Sequence, residues 1–288
     1  MSKTFPTVGI IADGLMTEMF KSPANSLGIE LLSFDAKDVG HSNIQECDVV
    51  TIADQSNSLI IAKKLEAEGI TVRPSFSALS AASNKFNSAV DQVVQICVMV
   101  ARSPHGQATT WAPTQVFRSK SKWTLSISPA PQLSNALQEK AQKLAMDLSA
   151  QLGAVGVIAV EMSVKDDNVS VVNVNLQPDS SGNWTMDGSV TNQYEQHLRA
   201  ILDLPLGDPS MTATHVVTGN FYCGDKPNMY RPYLHLMART PALKFHQYKN
   251  SGEAGELMGH ITLAGEELPK IIEEIEHALQ YLQGEIDE

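Results

Sequence analysis

The stretch Asn173-Val-Asn-Leu-Gln-Pro-Asp-Ser-Ser-Gly-Asn-Trp-Thr-Met-Asp-Gly-Ser-Val-Thr-Asn-Gln-Tyr-Glu-Gln-His-Leu-Arg-Ala200 decides how the rest of the chain is read. It leaves a β-branched run, Val169–Val172, that reads as a buried strand. Pro178, Ser180, Ser181 and Gly182 then make a loop. Beyond it, Val190, Tyr194, His197, Leu198, Ile201 and Leu202 share one face of a helix that Pro205 and Gly207 close. A polar loop between a strand end and a helix is a place where sites are built, although on spacing alone an ordinary connection is the plainer reading.

Working outward, the N-terminal third alternates short β-rich runs with helical stretches. Thr7–Ile11, Ile29–Ser33, Val49–Ile52 and Thr71–Val72 are the runs, and Leu59–Glu68, stopped by Gly69, is one of the helices. This β-α-β rhythm predicts a parallel sheet. The first turn, Gly9-Ile-Ile-Ala-Asp-Gly14, lacks a phosphate-cradling glycine triple, and Asp13 sets a carboxylate where a phosphate would approach. It reads as a bare strand-to-helix turn.

Further on, Val98–Arg102 alternates as a strand, Pro104-His-Gly106 turns, and Thr110–Phe117 returns. Asn135-Ala-Leu-Gln138 offers a capping box. Leu137, Ala141, Leu144, Ala145, Leu148 and Leu152 form a helical face that ends at Gly153. Gly156–Met162 is a buried strand with one charged residue, Glu161. In the last quarter, His215–Phe221, Lys244–Tyr248 and Met258–Leu263 are strand-like, whereas Tyr222–Arg231 has loop composition. Leu268, Ile271, Ile272, Ile275, Leu279 and Leu282 make a final amphipathic helix with Pro269 near its start.

Composition narrows the function. With 288 residues, 43% of them hydrophobic, the chain can bury a large core in one or two domains. A net charge of −11 argues against nucleic acid or an anionic membrane as partner. No apolar run reaches transmembrane length, and Met1–Thr7 lacks the features of a secretory leader. Cys47, Cys97 and Cys223 are far apart with no Cys-x-x-Cys, which fits a reducing cytoplasm and indicates neither zinc nor disulfides. The eight histidines show no paired metal-ligand spacing, and no Gly-x-Ser-x-Gly occurs. Trp111, Trp123 and Trp184 are too scattered for a base-stacking platform and read as core or interface residues.

Gly182-Asn-Trp-Thr-Met-Asp-Gly188 and Gln193-Tyr-Glu-Gln-His-Leu-Arg-Ala200 resemble the 5-(carboxyamino)imidazole ribonucleotide synthase family, ATP-grasp ligases of purine synthesis. The family reads Asn-Glu-x-Ala-x-Arg-Pro-His-Asn-Ser-Gly-His-(Trp/Tyr)-Thr across this strand and loop, then Ser-Gln-Phe-Glu-Gln-His-Leu-Arg-Ala. The resemblance extends to Asp48-Val-Val-Thr51, Pro74-Ser75, Gln95–Pro104, Ser126–Pro131 and Met258–Leu263. It implies a Rossmann-like N-terminal parallel sheet (1–85), a truncated ATP-grasp core (86–210) and a small β-rich C-terminal domain with a terminal helix (211–288). The fold class is thus α/β followed by α+β.

The departures concern chemistry. Glu161 matches a family metal ligand, but its partner carboxylate is Asn173, which leaves a vestigial, under-neutralised magnesium site. The Arg of the family loop is Gln177, and its His-Asn pair is Asp179-Ser180. The four cations that hold the ribonucleotide phosphate in the family become Asn250, Glu253, Glu256 and Leu257. Past Lys85 the family enters a lid subdomain with a glycine-rich loop over the phosphates. Here the chain reaches Gln95 within a span of at most about 36 Å, too short for a folded subdomain. Loss of site with retention of framework predicts an inactive relative that binds or regulates, with no cofactor. The alternative is an active ligase using ATP, magnesium and bicarbonate on aminoimidazole ribonucleotide. The resemblance further implies a homodimer, or a mixed dimer with a full-length synthase.

Overall fold

A computed structural model describes residues 5–12, 14–36, 42–53, 57–83, 94–118, 124–223, 230–248 and 255–286. Two sheets organise it. The first runs β2-β1-β3-β4, from β1 (Thr7–Ile11), β2 (Glu30–Phe34), β3 (Val49–Ile52) and β4 (Val72–Arg73). Every pairing in it is parallel, as the β-α-β rhythm predicts. Every residue of β1 and β3 is buried, because helices cover both faces. The helix α1 (Gly14–Ser26) lies on one face through Phe20, and α2 (Ser58–Ala67) on the other through Ile61 and Leu65.

The second sheet is antiparallel and ordered β10-β9-β5-β7-β8-β11-β13-β12, with β6 (Ala108–Thr110) paired to β5. Its members are β5 (Val94–Arg102), β7 (Thr114–Arg118), β8 (Thr124–Ser128), β9 (Gly156–Lys165), β10 (Asn168–Asn175), β11 (His215–Tyr222), β12 (Lys244–Gln247) and β13 (Leu257–Gly265). Strand periodicity divides β5 cleanly. Ile96, Val98 and Val100 pack toward α3 (Phe76–Ser83) and α4 (Asn135–Gln151), whereas Cys97, Met99 and Ala101 meet Trp111 and Trp184 on the other face. Through the pairing of β8 with β11, this sheet also takes in the C-terminal strands β11, β13 and β12.

The short α5 (Thr185–Gly188) leads to α6 (Gln193–Ile201), which lies between the two sheets. Its Tyr194, Leu198 and Ile201 join the cluster of Val8, Ile10 and Phe20, while His197 reaches β9. The quoted stretch thus couples the halves of the molecule.

Several readings are corrected. β10 is an edge strand and mostly half-buried, because β9 pairs it on one side only. Val190 lies outside the helix and is 60% exposed; Asn192 caps α6 by accepting from the Tyr194 and Glu195 N–H groups. The cap of α4 is Ser134, one residue before the expected box, and Gln138 donates to the Leu133 carbonyl instead of closing the box. The return strand is split by Trp111-Ala-Pro113 into β6 and β7. The segment read as loop to Arg231 becomes α7 (Tyr230–Arg239) from Tyr230 on, and Pro232 is tolerated in its first turn. The last helix is α8 (Leu268–Gln283), with Pro269 in its first turn. Asp13, Lys85 and Trp123 lie outside the described residues.

Candidate functional site

Leaving β10, the chain makes a 3-10 turn, Ser180–Gly182, that Asp179 caps. Asp179 Oδ1 accepts from the Ser181 N–H at 2.9 Å and from its hydroxyl at 2.7 Å. Gln193, fully buried, holds this turn from the start of α6. Its amide donates to the Asp179 carbonyl and to Asn183 Oδ1, and its Oε1 accepts the Asp179 N–H at 3.0 Å. Gly182 must be glycine here, because a Cβ would come within 2.5 Å of Gln193 Oε1.

Ser180 sits between two cavities and lines both. The first, about 450 Å³, opens over β5 and β9 and is lined by Glu161, Asp179, Ser126 and Asn220. The second, about 720 Å³, lies where α1 begins and is lined by Met19, Phe34, Gln177, Tyr194 and Leu257. Asn173 faces a neighbouring hollow that Gln177 shares. The residues singled out in sequence therefore gather around one loop, Asp179 and Ser180 in the first cavity and Gln177, Ser180 and Leu257 in the second. Glu256 is exposed, with its carbonyl accepting the Cys223 N–H at 2.7 Å. Asn250 and Glu253 lie outside the described residues.

Glu161 and Asn173 are register partners in β9 and β10, beside a bulge in β10. Asn173 Nδ2 donates to Glu161 Oε1 at 3.2 Å. The amide hydrogen thus occupies an oxygen that a metal ion would need, and the pair offers one negative charge where a divalent ion bridging phosphates requires more. No Lys or Arg lines either cavity among the described residues. This donor set does not fit a bound magnesium nucleotide. Cys97 lies beneath the first cavity with its thiol pushed well up, by burial first and then by the Asp179 carboxylate, so it is protonated and unreactive.

A second polar cluster was missed in sequence. Tyr194 Oη donates to Asn183 Oδ1 at 2.9 Å, Asn183 Nδ2 donates to Tyr248 Oη at 3.2 Å, and Tyr248 Oη meets His260 Nδ1. His260 stacks on His246, ring centroids 4.4 Å apart, and His246 Nε2 lies 2.7 Å from Asp187 Oδ2. Two histidines and an aspartate thus come together, although their spacing shows no pairing. The cluster is not shaped for an ion. The imidazole planes are 16° from parallel, and stacked rings direct their lone pairs along separate planes instead of at one point. Burial, then His246, pushes the His260 pKa well down, so the His260 ring is neutral in the stack. The signal lay in β12–β13 register, which pairs His246 with His260 across strands.

The ATP-grasp domain family matches residues 77–194, a stretch that runs from α3 to the start of α6 and takes in β5, β9, α4 and the loop that carries Ser180. More particularly, the chain is related to the N5-carboxyaminoimidazole ribonucleotide synthases. It is 38% identical over 197 residues to the Mycobacterium bovis synthase, a match covering 67% of this chain and 46% of that protein. The chain thus matches about half the length of this curated relative. The fold agrees with the synthetase from Thermus thermophilus (TM-score 0.81, 20% identity, covering 98% of this chain and 99% of that one). It also agrees with the Aspergillus clavatus enzyme complexed with ATP (TM-score 0.84, 19% identity, covering 97% and 99%). Among the described residues no helix is long and apolar enough to cross a membrane.

Proposed function

We propose that this chain is a non-catalytic relative of the synthase that uses the cavities around Ser180 to bind a small molecule and act on a partner in purine synthesis. One observation carries the reading: only residues 84–93 join α3 to β5, where the family resemblance places a phosphate-covering lid. The Asn173–Glu161 bond and the lack of lining cations among the described residues support it. Without lid donors and a lysine, several charge-assisted contacts of about 1.5–3 kcal/mol each are lost, which takes a micromolar nucleotide to millimolar or weaker.

A second reading is an active ligase that carboxylates aminoimidazole ribonucleotide with ATP and bicarbonate. It is favoured by the 38% identity to the M. bovis synthase. One assay separates the two: phosphate release from Mg·ATP with aminoimidazole ribonucleotide and bicarbonate, run beside calorimetry. Turnover, or Mg·ATP binding tighter than about 100 micromolar (near −5.5 kcal/mol), would overturn the non-catalytic reading. We further propose a cytoplasmic homodimer, able to form mixed dimers with a full-length synthase. Sedimentation at micromolar concentration giving only a 31.2 kDa species would count against the homodimer. Co-purification that never recovers the synthase would count against the mixed form.

A further inference from the structure

We infer that the 450 Å³ cavity over β5 and β9 binds a small organic cation with several N–H donors, an amine or guanidinium compound. The inference rests on the non-catalytic reading and goes further by naming the ligand class. Two carboxylates, Glu161 and Asp179, line the cavity from opposite sources, one on a sheet strand and one on the loop. Among the described residues neither pairs with Lys, Arg or His. Glu161 Oε1 takes the Asn173 amide and Asp179 Oδ1 takes Ser181, which leaves the second oxygen of each for a ligand.

The acceptor character does not rest on the acids alone. Asn220 is 4% exposed and lines the same cavity, and its Oδ1 has no hydrogen-bond partner among the described residues. Ser126, 1% exposed, lines it too, and its hydroxyl is also unpartnered. Buried polar atoms in folded proteins are nearly always satisfied, so orphaned ones on residues that line a cavity mark where a ligand completes the set. Three acceptors and one hydroxyl around a space of this size suit a metabolite that brings donors and positive charge. A phosphate would bring only more acceptors and like charge.

The test uses the full-length protein and three probes, agmatine, spermidine and putrescine, with inorganic phosphate, magnesium chloride and Mg·ATP as comparisons. Isothermal calorimetry at low salt should show binding of at least one amine and none of phosphate. Each charge-assisted contact is worth a factor of about ten or more. Asp179→Asn and Asn220→Leu should therefore each weaken the amine about tenfold, circular dichroism confirming that both variants fold. If no amine binds, or if both folded variants bind it as wild type does, the inference fails. Magnesium binding in preference to the amines overturns it as well. Turnover of Mg·ATP would instead overturn the non-catalytic reading itself, so the two failures are read from different signals.

Discussion

Thr51 Oγ1 and His197 Nε2 lie 2.8 Å apart, and this bond ties the parallel sheet to the helix that packs on the antiparallel one. The other ring nitrogen completes the tie, because His197 Nδ1 accepts the Val157 N–H at 3.0 Å. A backbone N–H can only donate, so Nδ1 carries the lone pair and Nε2 the proton, which it donates to Thr51. The ring is fixed as one neutral tautomer.

Acid should loosen this joint. Burial pushes the His197 pKa from 6.5 down to about 3. The folded value lies below the unfolded one, so the unfolded chain takes the proton first. The contribution is complete above pH 6.5 and is lost toward pH 3, by up to about 1.4 kcal/mol per pH unit. Urea unfolding at pH 7, 6 and 5 should show wild type losing more stability than His197→Gln. Parallel losses in the two proteins would remove His197 as the cause.

The same joint fixes a glycine. Gly156 has φ +111°, and a Cβ there would lie 2.7 Å from His197 Cε1. Gly156→Ala combines backbone strain with overpacking and should cost about 2–5 kcal/mol. A urea midpoint unchanged from wild type would show that the ring can move aside.

How far the sequence reveals this arrangement varies by element. The buried run Gly156–Met162 and the face from Leu137 to Leu152 are legible because periodicity and burial agree. The helix α7 is not, since the breakers Gly224, Asp225, Pro227 and Asn228 spread loop character into its first turn. In the site, Glu161 and Asn173 can be aligned by family pattern, and they do prove to be register partners. The stacked His246 and His260 answer to strand register, and Asp187 reaches them from a helix fifty-nine residues before His246. Such meetings follow from topology and leave no mark in local spacing.

Gln193 should prove the most sensitive polar residue of the site. Gln193→Leu would leave the Asp179 N–H without a partner, remove one of two donors from the Asp179 carbonyl, which keeps the Gly182 N–H, and remove one donor from Asn183. At about 1–3 kcal/mol for the N–H left unsatisfied and about 0.5–1.5 kcal/mol for each of the two other lost bonds, the loss is about 2–5 kcal/mol, or roughly 4–15 °C in Tm. Calorimetry showing a Tm within 2 °C (about 1 kcal/mol) of wild type would mean that water replaces the amide at little cost.

The ribonucleotide phosphate should find no hold in the wild type. Leu257 presents an apolar side chain to the second cavity, where the family resemblance places a cation. Titrating aminoimidazole ribonucleotide should give no binding to wild type and a gain in Glu253→Arg/Glu256→Arg/Leu257→Lys, at about 1.5–3 kcal/mol per restored contact. Tight binding to wild type would refute the loss of this phosphate site.

Restoring the missing carboxylate offers the sharpest comparison. Asn173→Glu would replace the amide that donates to Glu161 with a second negative charge on the neighbouring strand. Two carboxylates about 5 Å apart repel by about 3 kcal/mol at an effective dielectric near 20. Both positions are only partly buried, so solvent screening reduces the expected destabilisation to about 1–2 kcal/mol at pH 7. The loss should shrink as pH falls below 5, because protonating one carboxyl removes the repulsion. Magnesium should reverse it as well, since an ion bound only by the folded variant adds stability in proportion to the logarithm of its concentration. Thermal melts of both proteins across a magnesium series decide the matter. A rise in Tm with magnesium in Asn173→Glu and none in wild type would assign the vestigial metal site to this pair, and equal responses would place any magnesium effect elsewhere on the molecule.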